Sequence, residues 1–179
     1  MEIIPKKFSI EDIPERVNWI NDPKISNHMY FELPATVEKT LLWYNGNIGN
    51  KKRVDFSFFD SNGEILAMGG YTNIDNIHKN AEFYVMVNPT KHRKGIGKNV
   101  SKWLYNYAFS ILKLNKIFLF TNDDNIAASK IYLDLGFVLE GVLREHKWKN
   151  GRFIDRKVYG LLRSEWNNIN WKEEIKNEF

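Results

Sequence analysis

Two short segments of this chain carry residue types that could do chemistry. Residues 92–98 read His-Arg-Lys-Gly-Ile-Gly-Lys, follow an apolar strand pattern and open an amphipathic helix. Glycines at such a junction let the backbone approach an anion, and the free N–H groups of a helix start can then hold phosphate oxygens. Further along, Tyr132 lies in a segment that begins at Asn125 and ends in Gly136-Phe137. Together the segments predict an enzyme that holds a phosphorylated carrier and offers a tyrosine hydroxyl for proton transfer.

The elements that must position these segments follow from hydrophobic periodicity and turn residues. Helices are predicted at residues 10–20, from residue 36, and at 96–111 and 125–135. Strands are predicted at residues 54–59, 65–74, 81–87, 117–120, 137–143 and 153–162. This order predicts helices packed on a mixed, mostly antiparallel sheet. The glycine segment then lies at a strand-to-helix junction, where α/β sheets favour ligands.

Length and composition narrow the class of protein. The 179 residues, 43% of them hydrophobic, predict one compact domain. The absence of cysteine excludes disulfides, thiolate metal sites and a cysteine nucleophile. The start of the chain lacks a signal-peptide pattern, and no apolar run is long enough to cross a bilayer, so a cytoplasmic protein is expected. No His, Asp and Glu set has metal-ligand spacing.

The net charge of +4 is mildly basic and is concentrated at residues 91–98, with a smaller cluster at Lys51-Lys52-Arg53. A nucleic-acid partner would fit such charge, but no DNA- or RNA-binding motif is present. The concentration at the glycine segment favours one phosphorylated small molecule.

The glycine segment is similar to the pyrophosphate loop of the GNAT superfamily of acyl-coenzyme A N-acyltransferases, Gln/Arg-x-x-Gly-x-Gly/Ala. Gly95 and Gly97 match the pattern, whereas His92 stands where Gln or Arg is usual. Arg93 or Lys94 could supply the missing positive charge.

The second segment resembles the family pattern Asn-x-x-Ala-x-x-x-Tyr-x-x-x-Gly-Phe in full. The matching residues are Asn125, Ala128, Tyr132, Gly136 and Phe137. The resemblance implies an α/β (α+β) fold with a twisted, mixed and mostly antiparallel sheet of about six or seven strands flanked by helices. It also implies one acyl-CoA N-acyltransferase domain over residues 1–179, with 164–179 as a C-terminal helix or tail.

Residues 19–23, 81–89 and 140–155 are similar to one branch of that superfamily. The branch contains spermidine, ribosomal-protein N-terminal and amino-sugar N-acetyltransferases. The resemblance implies acetyl-CoA as the cosubstrate and no metal. The residues it assigns to the donor are Met86 and Val87 through their backbones, His92, Arg93, Lys94, Gly95, Ile96, Gly97, Lys98, Asn125 and Ser129. For Ser129, ordinary packing is slightly favoured over contact with the donor.

The implied reaction is direct attack of an uncharged amine on the thioester. By resemblance, Tyr132 protonates the leaving thiolate as general acid. Asn125 lies two helical turns before Tyr132 and therefore shares its face. Strand alternation places Glu82 on one face with Tyr84 and Met86, where its carboxylate could accept the amine proton through water. An ion pair or a substrate anchor remains the alternative for Glu82, and bulk water could also supply the free amine.

The acceptor residues are expected in the stretch from Asn21 to Trp43. The candidates are Asp22, His28, Tyr30 and Glu32. The acids would attract a cationic amine, and aromatic rings could stack on the amine, a sugar or a base. Ordinary packing of the loop is an equal alternative for these residues. A small molecule is favoured, with an amino sugar or nucleotide-linked amino sugar narrowly first. A polyamine or a protein N-terminus is the alternative, and an acetyl-CoA-binding sensor is the non-enzyme alternative. No membrane partner is expected, and a homodimer stays open.

Overall fold

Seven strands form a sheet in the order β1-β2-β3-β4-β5-β7-β6 in this computed structural model, which describes residues 2–91, 95–149 and 151–169. The strands are β1 Ile4–Lys7, β2 Val54–Phe59, β3 Ile65–Asp75, β4 Asn80–Val87, β5 Lys116–Asn122, β6 Val138–Lys149 and β7 Arg152–Leu162. β4 and β5 pair parallel, whereas β1–β2, β2–β3, β5–β7 and β6–β7 pair antiparallel. The prediction of a mixed, mostly antiparallel sheet flanked by helices is confirmed.

Sequence reasoning missed β1. This strand has four residues and includes Pro5, so neither its length nor its pattern marks it as a strand. Its pairing with Phe56–Phe59 of β2 defines it instead, and such a partner cannot be read from the sequence.

Six α-helices flank the sheet in the described part of the chain. They are α1 Ile13–Asn21, α2 Pro23–Ser26, α3 Val37–Gly46, α4 Ile96–Asn106, α5 Ile126–Asp134 and α6 Arg163–Asn167. A 3₁₀ turn precedes α1 at Ile10–Asp12, and a π-helical turn follows α4 at Tyr107–Ile111. α6 covers the start of the predicted 164–179 element, and residues 170–179 lie outside the described ranges. None of the helices described is long and apolar enough to span a membrane.

Contacts divide the chain into two compact units. Unit 1 comprises Met1–Thr72 and Tyr84–Ser101, and unit 2 comprises Asn73–Phe83 and Lys102–Phe179. The single acyltransferase domain over residues 1–179 stays a prediction.

The core of unit 1 packs α1 against the sheet. Its buried members are Phe8, Ile13, Val17, Trp19, Ile20, Ile25, Met68 and Met86. Asp12 is also buried, and its carboxylate accepts hydrogen bonds from the Ser57 hydroxyl at 2.7 Å and the Ser9 N–H at 3.0 Å. These bonds satisfy the buried charge and fix the start of α1 on β2.

The core of unit 2 is aromatic. Phe83 contacts Tyr105 at 5.1 Å between ring centroids, and Tyr105 contacts Phe137 at 5.2 Å. The Trp166 ring of α6 packs at a tilt against Phe109, and its indole N–H donates to the Asn106 side chain at 3.0 Å. α6 is therefore fixed in this core by packing and by a buried hydrogen bond.

The parallel ladder between β4 and β5 is short. It joins Asn80–Glu82 to Lys116–Phe118, and the residues of β4 after Glu82 lie outside it. This leaves the end of β4 with backbone groups that the ladder does not use.

Gly70 lies where two backbones approach closely. It pairs with Asp55, and a Cβ at this position would overlap the carbonyl oxygen of Val54. The oxygen belongs to backbone, so a flexible side chain cannot relieve the overlap. β2 and β3 therefore require glycine here.

We expect Gly70→Ala to lower the free energy of unfolding by about 3 kcal/mol, because β2 would have to shift. Gly46→Ala in α3 is the matched control, since no atom lies within 4 Å of a Cβ there and alanine favours helix. Urea denaturation of both variants measures the difference. Equal stability of the two variants would contradict the close approach.

Candidate active site

Within the described part of the glycine segment, Gly97 packs against the end of β4 in unit 1. A Cβ on Gly97 would lie 3.3 Å from Cγ2 of Val87, and Gly95 has a positive φ of 70°. Glycine thus permits both the turn and the close packing of the first turn of α4. Gly95 and Lys98 are exposed, whereas Ile96 between them is buried. His92, Arg93 and Lys94 lie outside the described residues.

Asn88 fixes the chain directly after β4. Its N–H donates to the Leu66 carbonyl at 2.9 Å, and its side-chain NH₂ donates to the Ile65 carbonyl at 3.0 Å. Its side-chain oxygen accepts from the Thr90 N–H at 3.0 Å. These bonds hold Met86 and Val87 in a defined position relative to β3.

Alternation along the end of β4 is as predicted. Met86 is buried in the core cluster with α1, and Tyr84 contacts Asp55, whereas Val87 contacts Gly97 of α4. Tyr84 and Met86 therefore point to one side of the strand and Val87 to the other. The Met86 side chain lies in the core, so the backbone of Met86 is the part that remains for the predicted donor contact.

The second segment forms α5 in unit 2. Asn125 is the N-cap, and its side-chain oxygen accepts from the Ala128 N–H at 3.2 Å. Asn125 thus has a structural role that the sequence analysis did not assign. Ser129 is buried, and among the residues described its hydroxyl has no hydrogen-bond partner. A buried hydroxyl without a partner is costly, which makes Ser129 a candidate for a hydrogen bond to a ligand.

Tyr132 sits among aromatic rings of unit 2. Its ring lies 5.9 Å from Phe137, 6.2 Å from Phe83 and 6.3 Å from Tyr159 between centroids. No described residue receives a hydrogen bond from its hydroxyl. Burial raises the pKa of Tyr132 to about 12, because the apolar surroundings disfavour the phenolate. The hydroxyl therefore keeps its proton across the physiological range and can act as an acid.

Glu82 is half-buried on β4. Its carboxylate accepts a hydrogen bond from the Asn73 side-chain NH₂ at 3.0 Å, and no salt bridge engages it within the described ranges. Because Asn73 is neutral, the negative charge of Glu82 remains available to a cation.

Two of the four predicted acceptor residues are already engaged locally in unit 1. The Asp22 carboxylate caps α2 by accepting from the Lys24 N–H at 2.8 Å. Glu32 is exposed and pairs with Lys39 at 2.7 Å, and this ion pair lowers its pKa. His28 is exposed and Tyr30 is half-buried. The structure thus gives the two acids structural or surface roles.

A half-buried polar cluster in unit 1 was not found from the sequence. The Asp55 carboxylate accepts from Arg53 through Nε at 2.6 Å and Nη2 at 2.8 Å, and also from the Tyr84 hydroxyl. Burial first and the Asp55 charge second raise the pKa of Tyr84, so this phenol stays protonated. Arg53 directly precedes β2 and Tyr84 lies on β4, and no motif spacing links them. The only signal in the sequence was Asp55, a carboxylate inside an apolar strand pattern that would need a polar partner.

The comparisons with known proteins agree with this geometry. Residues 4–138 match the family model of the acetyltransferase (GNAT) domain. The chain belongs to the GNAT acetyltransferase family. This GNAT protein is 29% identical over 151 residues to a spermidine N(1)-acetyltransferase of Vibrio cholerae, which covers 84% of this chain and 87% of that protein. It is 31% identical to the spermidine N(1)-acetyltransferase of Escherichia coli over 126 residues, 69% of this chain and 67% of that protein.

A solved structure extends the likeness to three dimensions. The Vibrio cholerae spermidine N-acetyltransferase in complex with CoA and spermine has a TM-score of 0.88 and 28% sequence identity. The match covers 93% of this chain and 98% of that one. The GNAT chain is therefore an N-acetyltransferase with acetyl-CoA as cosubstrate.

The residues present fit that donor. Gly95 turns the backbone with a positive φ and has open space where a Cβ would lie, and Ser129 offers a buried hydroxyl with no described partner. Both observations come from the geometry of the described residues. Which residues hold the donor stays a proposal.

We expect Tyr132 to make folding stability fall at high pH. In the unfolded chain a tyrosine loses its proton near pH 10, whereas folded Tyr132 keeps it to about pH 12. The folded state thus binds more protons between these values, and the stability it gains is lost as pH rises through this window. Urea unfolding across the window should show a steeper loss for the wild type than for Tyr132→Phe. Identical slopes would contradict the burial of the phenol.

Proposed function

We propose that this GNAT enzyme acetylates a primary amine of a polyamine of the spermidine type. The observation that carries the proposal is the likeness to spermidine N-acetyltransferases over most of the chain, in sequence and in fold. The comparisons favour this acceptor, which the sequence analysis kept as its alternative, over the amino sugar that it placed first.

The first step concerns the amine, which must lose its proton before it can attack the thioester. Glu82 supports this step because its half-buried carboxylate forms no salt bridge with a described residue. It attracts the ammonium form and accepts its proton through a water molecule. Asn73 orients the carboxylate by a single neutral hydrogen bond.

The second step concerns the oxyanion that develops as the amine attacks. The end of β4 lies outside the parallel ladder, so the backbone at Met86 and Val87 is available to meet the donor. Preorganised N–H donors of this kind are worth about 3–4 kcal/mol at the transition state. Asn88 holds them in place, and the amides at Gly95, Ile96 and Gly97 bind the pyrophosphate.

The third step is departure of the thiolate. Tyr132 donates its proton to the sulfur as the carbon–sulfur bond breaks, and the thiol leaves neutral. The resulting phenolate is unstable in the apolar surroundings described above, so it regains a proton from solvent quickly. Ser129 hydrogen-bonds the carrier on the same helix.

An acceptor panel tests the proposed function. Purified protein is incubated with acetyl-CoA and spermidine, a nucleotide-linked amino sugar, or a peptide with a free N-terminus, while free thiol is followed. The chain has no cysteine, so every thiol detected comes from coenzyme A. We expect kcat/KM for spermidine to exceed the other two by at least about tenfold.

Mass spectrometry of the product confirms transfer rather than thioester hydrolysis. Glu82→Gln is the matched variant, and it should raise KM for spermidine while leaving KM for acetyl-CoA unchanged. Turnover with the sugar or the peptide alone would refute the polyamine acceptor and retain the acetyltransferase. If none of the three acceptors gives thiol release, the acceptor lies outside these classes and the proposal as stated is refuted.

A further inference from the structure

The basic cluster Lys51-Lys52-Arg53 has no role in the proposed reaction, yet it borders a cavity. The cavity has a volume of about 350 Å³ and lies entirely within unit 1, between the end of α3, the end of β1 and the start of β2. Its lining includes the cations Lys7, Lys51 and Arg53 and the rings of Phe8, Trp43 and Tyr44. This volume is at the lower end of the range of small-molecule sites.

The charge of this cavity is positive. Asp55 also lines it, but its carboxylate is taken up by the two hydrogen bonds from Arg53. Lys7 and Lys51 are exposed and form no salt bridge with a described residue. Two uncompensated ammonium groups therefore remain at the rim.

The aromatic wall of the cavity is held in place. Phe8 is buried, and its ring meets Trp43 edge-on at 5.8 Å and Tyr44 at 6.0 Å. The guanidinium groups of Arg16 and Arg53 lie 4.5 Å and 4.7 Å from the Trp43 ring. These contacts fix the ring orientations, so the wall is formed before any ligand arrives.

We propose that this cavity binds a small phosphorylated molecule with a planar apolar body. The phosphate would meet Lys7 and Lys51 at the rim, and the body would pack on the aromatic wall. A polyamine carries the same sign of charge as the rim, so the cavity is not a place for the proposed acceptor. The inference therefore goes beyond the acetyl transfer and does not rest on it.

A binding experiment with 1-naphthyl phosphate tests the proposal. Saturating coenzyme A is present throughout, so that the probe cannot report on the donor site. Isothermal titration calorimetry should show saturable binding at one site, and the affinity should fall as salt screens the lysines. Neither 1-naphthol nor inorganic phosphate alone should bind as tightly, because each lacks one half of the recognition.

Matched lysine variants locate the site. Lys7→Gln and Lys51→Gln should each weaken the probe by about tenfold, the value of a lost hydrogen bond to a charged group. Lys52→Gln is the control, because Lys52 is exposed beside Lys51 but does not line the cavity. It makes the same change in net charge and should leave the affinity within twofold.

Three results would overturn the inference. One is no saturable binding of 1-naphthyl phosphate to the wild type. Another is naphthol or phosphate binding as tightly as the probe. The third is a loss in Lys52→Gln as large as the loss in Lys51→Gln, which would show a response to net charge alone. A melting temperature equal to that of the wild type in all three variants excludes unfolding as the cause.

Discussion

The chemistry that we propose for this fold depends on a phenol whose surroundings disfavour its ionisation. Tyr132 lies against Phe83, Phe137 and Tyr159, and burial raises its pKa to about 12. An acid of this strength holds its proton until a strong base forms beside it. The base in the proposed reaction is the departing thiolate, whose affinity for a proton would rise in the same apolar surroundings as that of the phenolate does. The aromatic core of unit 2 thus supports the proposed proton transfer as well as stability.

Unit 1 makes a different contribution, because it holds the backbone at the end of β4 in position. The side chain of Asn88 and its own N–H secure the end of β4, and Gly97 lets α4 approach Val87. The hydrogen bonds that Asn88 makes use neutral groups. Backbone groups fixed in this way cost little to reorganise during the reaction, which is why they suit a developing oxyanion.

Sequence reasoning found the parts that local patterns determine. Gly95, Gly97 and the Asn125–Phe137 segment have fixed spacings, and the sheet class followed from the order of elements. It missed what only long-range pairing creates. β1 exists because β2 lies beside it, and the Arg53–Asp55–Tyr84 cluster joins the start of β2 to β4. The identity of the acceptor could not be predicted from local patterns either, because it depends on how charges from distant segments combine.

The most direct measurement of this account is the turnover of Tyr132→Phe with the best acceptor of the panel, alongside its affinity for coenzyme A. The variant keeps the ring and removes only the hydroxyl. The account predicts a fall in kcat of about a hundredfold or more, with the coenzyme A affinity unchanged. Unchanged turnover would contradict Tyr132 as the acid. An equal loss of coenzyme A affinity would contradict a role confined to proton transfer.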